Sequence, residues 1–185
     1  MRKIITVPNC ITAARIVGAL ILLFLSPLSV AFYVVYTLCG VSDVLDGFIA
    51  RATKSTSEFG AKLDSVADLS FYTVMMLKIL PVLWELLPKW IWIGVAVVIV
   101  IRLSAYGVAA IRYRRFASLH TYLNKCTGAM LFAVPYFLSL SFAVGYCMTV
   151  LAVGGLASVE ELVMHICAKD YKAGVKSIYQ MIKSK

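Results

Sequence analysis

Four of the chain's five aspartates fall within 26 positions, at Asp43, Asp46, Asp64 and Asp68. Each lies in a stretch otherwise apolar enough to cross a bilayer, where a carboxylate is costly unless paired and marks function by default. Asp43 and Asp46 are three apart and share one helix face, which Gly47 and Ala50 continue. Gly60, Asp64 and Asp68 step by four along a second stripe. Four negative charges crowded in a low dielectric repel too strongly to stay ionised without cations. Arg51, Lys54 and Lys62 offset part of this. Divalent ions do it better, and ligands that are all oxygen, with no His or Cys, select hard ions such as Mg²⁺, Mn²⁺ or Ca²⁺. Two such ions balance four carboxylates and keep positions open for phosphate oxygens, the apparatus of displacement at phosphorus. Gly47 and Gly60 remove side chains from the same faces, so that a phosphate ligand or another backbone can come close.

The elements that must position these residues are long apolar runs. Six are visible, at roughly 11–28, 30–50, 60–82, 88–111, 124–141 and 143–166, each near the ~20 residues a helix needs to cross the hydrocarbon. Period-two alternation is absent, so strands are not expected. The expected fold is all-α, a polytopic membrane protein with six transmembrane helices. Pro8 and Asn9 mark a helix start, with a short interfacial helix before it. The connection at Arg51 makes the second and third helices antiparallel neighbours. Asp46 then lies ~7.5 Å from that connection, and Asp64 and Asp68 ~6–12 Å past Gly60, so the carboxylates meet at one level just beneath one membrane surface.

Composition agrees. The 185 residues are 62% hydrophobic and 15% charged, against about 45–50% and about 25% in soluble domains, and the mean hydropathy is +0.90. This excludes a disordered tail, a coiled coil and an ordinary cytosolic enzyme. Five scattered cysteines form no C-x-x-C pair, so neither a zinc site nor a disulfide framework is expected. The net charge of +9 points to anionic lipid and not to nucleic acid, because the charges sit between apolar runs. Fifteen of the 18 Lys and Arg fall on one side of a six-span arrangement, Arg15 being counted with the N-terminal group, which places both termini in the cytoplasm. Trp84, Trp90 and Trp92 lie where an aromatic belt would sit. No cleavable signal peptide, internal repeat or linker is visible, and the chain reads as a single domain, 1–185.

Asp43-x-x-Asp46-Gly47-x-x-Ala50-Arg51, eight residues, then Gly60-x-x-x-Asp64-x-x-x-Asp68 resembles the signature of the CDP-alcohol phosphatidyltransferase family, with all eight fixed positions filled. The length, the six spans and the Pro8-Asn9-x-x-Thr12 start resemble the family's smaller bacterial phosphatidylglycerophosphate synthases. The resemblance implies transfer of a phosphatidyl group from CDP-diacylglycerol to an alcohol with release of CMP. It implies that Asp43, Asp46, Asp64 and Asp68 ligate two Mg²⁺ or Mn²⁺ ions, and that Asp68 is also the general base on the acceptor hydroxyl. Gly47, Ala50, Arg51 and Gly60 would line the CDP pocket, Asn9 and Thr12 would reach the nucleotide, and a homodimer in the bacterial cytoplasmic membrane is implied, its active site facing the cytoplasm. Glycerol 3-phosphate is the expected acceptor; inositol phosphate, serine and phosphatidylglycerol are alternatives with the same chemistry.

A cation or proton transporter also uses buried carboxylates, but leaves the glycine and arginine positions unexplained. Purely structural aspartates explain Asp-Gly as a turn, yet not Asp64 or Asp68. Arg102 lies inside the fourth span, to pair with the carboxylates, to snorkel or to contact an anionic acceptor. Arg112, Arg114, Arg115 and Lys125 either form a plain positive-inside loop or bind a phosphate on the acceptor. Lys125-Cys126-Thr127-Gly128 resembles a stretch near the acceptor pocket of some relatives. His120 reads as a loop residue and His165 as an interfacial one.

Overall fold

A computed structural model describes residues 6–53, 57–114, 121–167, 177, 178 and 180. Among them the chain is built from six helices: α1 Val7–Phe24, α2 Val30–Ala52, α3 Glu58–Leu86, α4 Lys89–Tyr113, α5 Tyr122–Phe137 and α6 Ala143–Cys167. Hydroxyl side chains start four of them. Thr6, Ser29, Ser57 and Thr121 accept from the backbone N–H three residues on, at Asn9, Phe32, Gly60 and Asn124, which satisfies donors that a helix start leaves open. All helices but α5 are long and apolar enough to cross a membrane. Many large apolar side chains face outward, among them Phe24, Val30 and Ile111, as lipid-facing surfaces require.

The first helix starts and ends four residues earlier than its apolar run. Thr6 caps it, and Pro8 falls in the first turn, where its missing N–H costs nothing. It stops before Ser26-Pro27 because the residue before a proline is pushed out of the helical region. The expected interfacial helix lies outside the described residues. The fifth element is shorter than its apolar run, with 16 residues. From Phe137 to Ala143 the chain makes two successive tight turns, Leu140 N–H to Phe137 C=O and Ala143 N–H to Leu140 C=O, both 3.0 Å.

Residues 1–85 and 86–185 form two compact units. In the first, α1 packs on α2, and Gly18 makes the close approach possible: a Cβ there would stand 2.5 Å from Cys39 Sγ. The inner stripe of α2 runs Phe32, Tyr36, Cys39, Asp43, Asp46, alternating steps of four and three. Its outer part is an aromatic clamp, with Tyr36 stacked on Phe32 (5.9 Å) and on Phe71 of α3 (5.5 Å). Lys78 of α3 donates to the Leu25 carbonyl beyond the end of α1, at 2.9 Å. In the second unit α6 packs on both α4 and α5.

Candidate active site

The buried stripe of α1 runs Asn9, Thr12, Arg15, Ala19, Leu22, polar at its start and apolar beyond. The polar part faces the aspartates. Arg15 has a side chain 1% exposed, and its guanidinium is in contact with all four carboxylates. Nη1 lies 3.0 Å from Asp43 Oδ1, 3.1 Å from Asp64 Oδ1 and 2.5 Å from Asp68 Oδ1. Nη2 donates to Asp46 Oδ2, and Nε to Ser42 Oγ at 3.4 Å. The Thr12 hydroxyl lies 2.8 Å from the same Asp46 oxygen and 2.9 Å from the Pro8 carbonyl. Asp46 is therefore buried between two donors from α1. The side chains of Asp43, Asp64 and Asp68 stay 48%, 45% and 40% exposed. One guanidinium against four carboxylates leaves the cluster strongly anionic.

Asp43, Asp64 and Asp68 each offer one oxygen, and these oxygens lie within 4.8 Å of one another. An all-oxygen, strongly anionic set of this size fits a hard divalent cation with modest contraction of its carboxylates. Next to it is a cavity of about 140 Å³, lined by Asn9, Thr12, Asp46, Gly47, Ala50, Gly60 and Asp64 among others. Gly60 keeps this wall thin. A Cβ there would stand 2.8 Å from Asn9 Oδ1 and 3.2 Å from Ser57 Oγ.

The structure thus brings Asp43, Asp46, Asp64 and Asp68 together, and Asn9, Thr12, Gly47, Ala50 and Gly60 around the adjoining cavity. The Arg51 side chain, Lys54, Arg115 and His120 lie outside the described residues. Arg15 is the residue that sequence reasoning missed. Counted as one more positive charge on the N-terminal side, it is instead the hub of the cluster. Its place one turn beyond Thr12, on the face of Asn9, was the available signal.

The second unit holds a polar group of its own. Arg102 pairs with Glu161 at 3.4 Å and donates to Asn124 Oδ1 at 2.8 Å, so its carboxylate partner within this unit, among the described residues, is Glu161 of α6. Asn124 Nδ2 donates to Glu161 Oε2 at 2.9 Å. Glu161 and Ser158 are fully buried, and neither they nor Asn124 had been singled out. His165 is also buried, against Tyr113 and Glu161; it lies on the Glu161 face of α6, one turn on. Arg112 Nη1 donates to the His165 carbonyl at 3.1 Å and to that of Ile166, closing the end of α6. Lys125 is exposed.

The sequence model for CDP-alcohol phosphatidyltransferases matches residues 5–163. The chain belongs to the CDP-alcohol phosphatidyltransferase family. With five helices fit to cross a bilayer, this family member is an integral membrane protein, and membership sets the transporter alternative aside. The chain is similar to a CDP-diacylglycerol–glycerol-3-phosphate 3-phosphatidyltransferase of Pseudomonas fluorescens, 31% identical over 72% of each chain. It is similar to a CDP-diacylglycerol–serine O-phosphatidyltransferase of Methanocaldococcus jannaschii, 35% identical over 40% of this chain and 34% of that one. A CMP-forming cardiolipin synthase of Streptomyces coelicolor is 33% identical over 48% of this chain and 44% of its own. The chain thus spans about a third to three-quarters of the length of these relatives. No solved structure matches it.

Proposed function

We propose that the protein transfers the phosphatidyl group of CDP-diacylglycerol to glycerol 3-phosphate, releasing CMP. The observation that carries this reading is the convergence of Asp43, Asp46, Asp64 and Asp68 beside a cavity lined by small residues. The four aspartates would hold two Mg²⁺ or Mn²⁺ ions, which supply positive charge to a diphosphate and to the departing CMP. Gly47, Ala50 and Gly60 leave room for the CDP group, with Asn9, Thr12 and Arg51 around it. Asp68 takes the proton of the acceptor hydroxyl as that oxygen attacks the lipid-side phosphorus. The new bond joins acceptor oxygen to phosphorus, and the bond that breaks is the one to the CMP oxygen. The exposure of Asp43, Asp64 and Asp68 supports this division, because reactants must reach them.

Glycerol 3-phosphate is favoured because a relative aligned over 72% of both chains carries that name. Lys125, which is exposed, is our first candidate for a contact to its phosphate, with Arg102 and Arg115 as further candidates. Arg112 is the weakest candidate, being engaged with α6. We read 1–185 as one catalytic domain, since the family match runs through both units. α5 makes the sixth crossing: its ~24 Å falls short of the ~30 Å core, and the apolar turns after it and local thinning supply the rest. The same reading puts both termini and the site on the cytoplasmic side of a bacterial membrane and the working form as a homodimer.

The test is product identity. Labelled CDP-diacylglycerol is incubated with purified protein and glycerol 3-phosphate, inositol phosphate, serine or phosphatidylglycerol in turn, and the lipids are separated by thin-layer chromatography. Phosphatidylglycerophosphate is the expected product. A phosphatidylserine or cardiolipin spot alone would keep the chemistry and replace the acceptor.

A further inference from the structure

A carboxylate cluster inside a bilayer must be assembled during folding, before any ligand is bound, and here the chain brings its own cation to it. We propose that Arg15 is a built-in competitor of the divalent ion. It holds the aspartates together without metal, and metal enters by exchange with its Nη1 nitrogen. The inference rests on Asp43, Asp64 and Asp68 being metal ligands.

The two cations claim the same atoms. Nη1 lies 2.5–3.1 Å from one oxygen each of Asp43, Asp64 and Asp68, and it is these three residues that bring ligand oxygens within 4.8 Å of one another. A Mg²⁺ ion bonds its oxygens at ~2.0–2.1 Å. It would stand where Nη1 stands, so the two cannot share the three oxygens. Nη1 is also overcommitted. It carries two N–H groups against three carboxylates.

Arg15 cannot resolve the competition by losing its charge, because a guanidinium stays protonated in proteins. Nor can it leave, since its side chain is 1% exposed. It can turn. Nη2 and Nε are anchored separately, on Asp46 and Ser42, so rotation about this edge frees three oxygens and keeps Asp46 paired. Two divalent ions alone neutralise four carboxylates; with Arg15 present the same loading leaves an excess positive charge. Arg15 therefore lowers metal affinity and makes stability nearly independent of metal.

The experiment measures metal binding and unfolding, not turnover. Purified full-length chain in detergent is titrated with Mn²⁺, free ion is read by electron paramagnetic resonance, and thermal unfolding is recorded in EDTA and in Mn²⁺. Arg15→Gln should bind Mn²⁺ at least ~10-fold more tightly than wild type, a cautious figure for removing a like charge at this range. Its unfolding midpoint should fall in EDTA and recover in Mn²⁺, whereas wild type shifts much less. Unchanged or weaker binding by Arg15→Gln would make Arg15 a support of the metal site and overturn the proposal. If Arg15→Gln fails to fold even in Mn²⁺, Arg15→Lys decides. Its compact ammonium cannot span four carboxylates, so it should also bind Mn²⁺ more tightly than wild type, and equal or weaker binding overturns the proposal. Wild type that binds no Mn²⁺ overturns the metal-site reading itself, and this inference with it.

Discussion

Asp46 differs from the other three aspartates. It is buried and takes hydrogen bonds from Thr12 and Arg15, whereas Asp43, Asp64 and Asp68 open outward. The division predicts different variant behaviour. Asp68→Asn keeps the size but loses the proton acceptor, so turnover should drop at least ~10²-fold while nucleotide affinity falls much less. Asp43→Asn should weaken metal and CDP binding together. Equilibrium binding of a CDP ligand, measured beside the rate for each variant, separates the two. Thr12→Val removes one donor from a buried carboxylate, a bond worth ~1.5–3 kcal/mol to a charged acceptor, and should lower the unfolding midpoint in detergent. The four aspartates were legible because carboxylates in apolar runs stand out and steps of three and four put them on shared faces. Arg15 was not, because an arginine near a basic N-terminus carries the same local signal as a topology charge. Only the fold places it opposite both α2 and α3.

At the scale of the helix, two glycines set how closely α1 can lie against its neighbours. Gly18→Ala drives a methyl into Cys39 Sγ and should destabilise by ~1–3 kcal/mol, the usual penalty of overpacking. The double variant with Cys39→Ala should recover most of it, since contacting residues couple; a purely additive result would place the strain elsewhere. Gly60→Ala displaces Asn9 from the cavity wall and should raise the KM for CDP-diacylglycerol more than it lowers the unfolding midpoint. The order of the six helices α1–α6 among the described residues was readable from hydropathy alone. The ends were not: an apolar run continues through Ser26-Pro27 and through the turns after Phe137, and hydropathy cannot distinguish an apolar turn from an apolar helix. Nor could it show the Arg102–Asn124–Glu161 group, whose members come from three helices far apart in sequence.

On the scale of the whole molecule, the proposed function requires a membrane-bound donor and a water-soluble acceptor to meet at one site. The acceptor's phosphate needs fixed positive charge, and Lys125 is free of the helix-capping duty that occupies Arg112. Lys125→Gln should raise the KM for glycerol 3-phosphate by ~10- to 150-fold, the equivalent of one charged hydrogen bond, with little change for CDP-diacylglycerol. Arg112→Gln should mainly lower stability. Kinetics with each substrate varied separately would check both; a Lys125 variant with unchanged acceptor KM would return that residue to topology.

The central claim is that the aspartate cluster, loaded with divalent metal, transfers a phosphatidyl group to an alcohol. CMP release from CDP-diacylglycerol by the purified protein tests it most directly, measured with and without glycerol 3-phosphate, in EDTA and after Mg²⁺ or Mn²⁺ is restored. CMP should appear only when metal and acceptor are both present, and Asp64→Asn should abolish it. CMP release at the same rate in EDTA, or from Asp64→Asn, would contradict the claim.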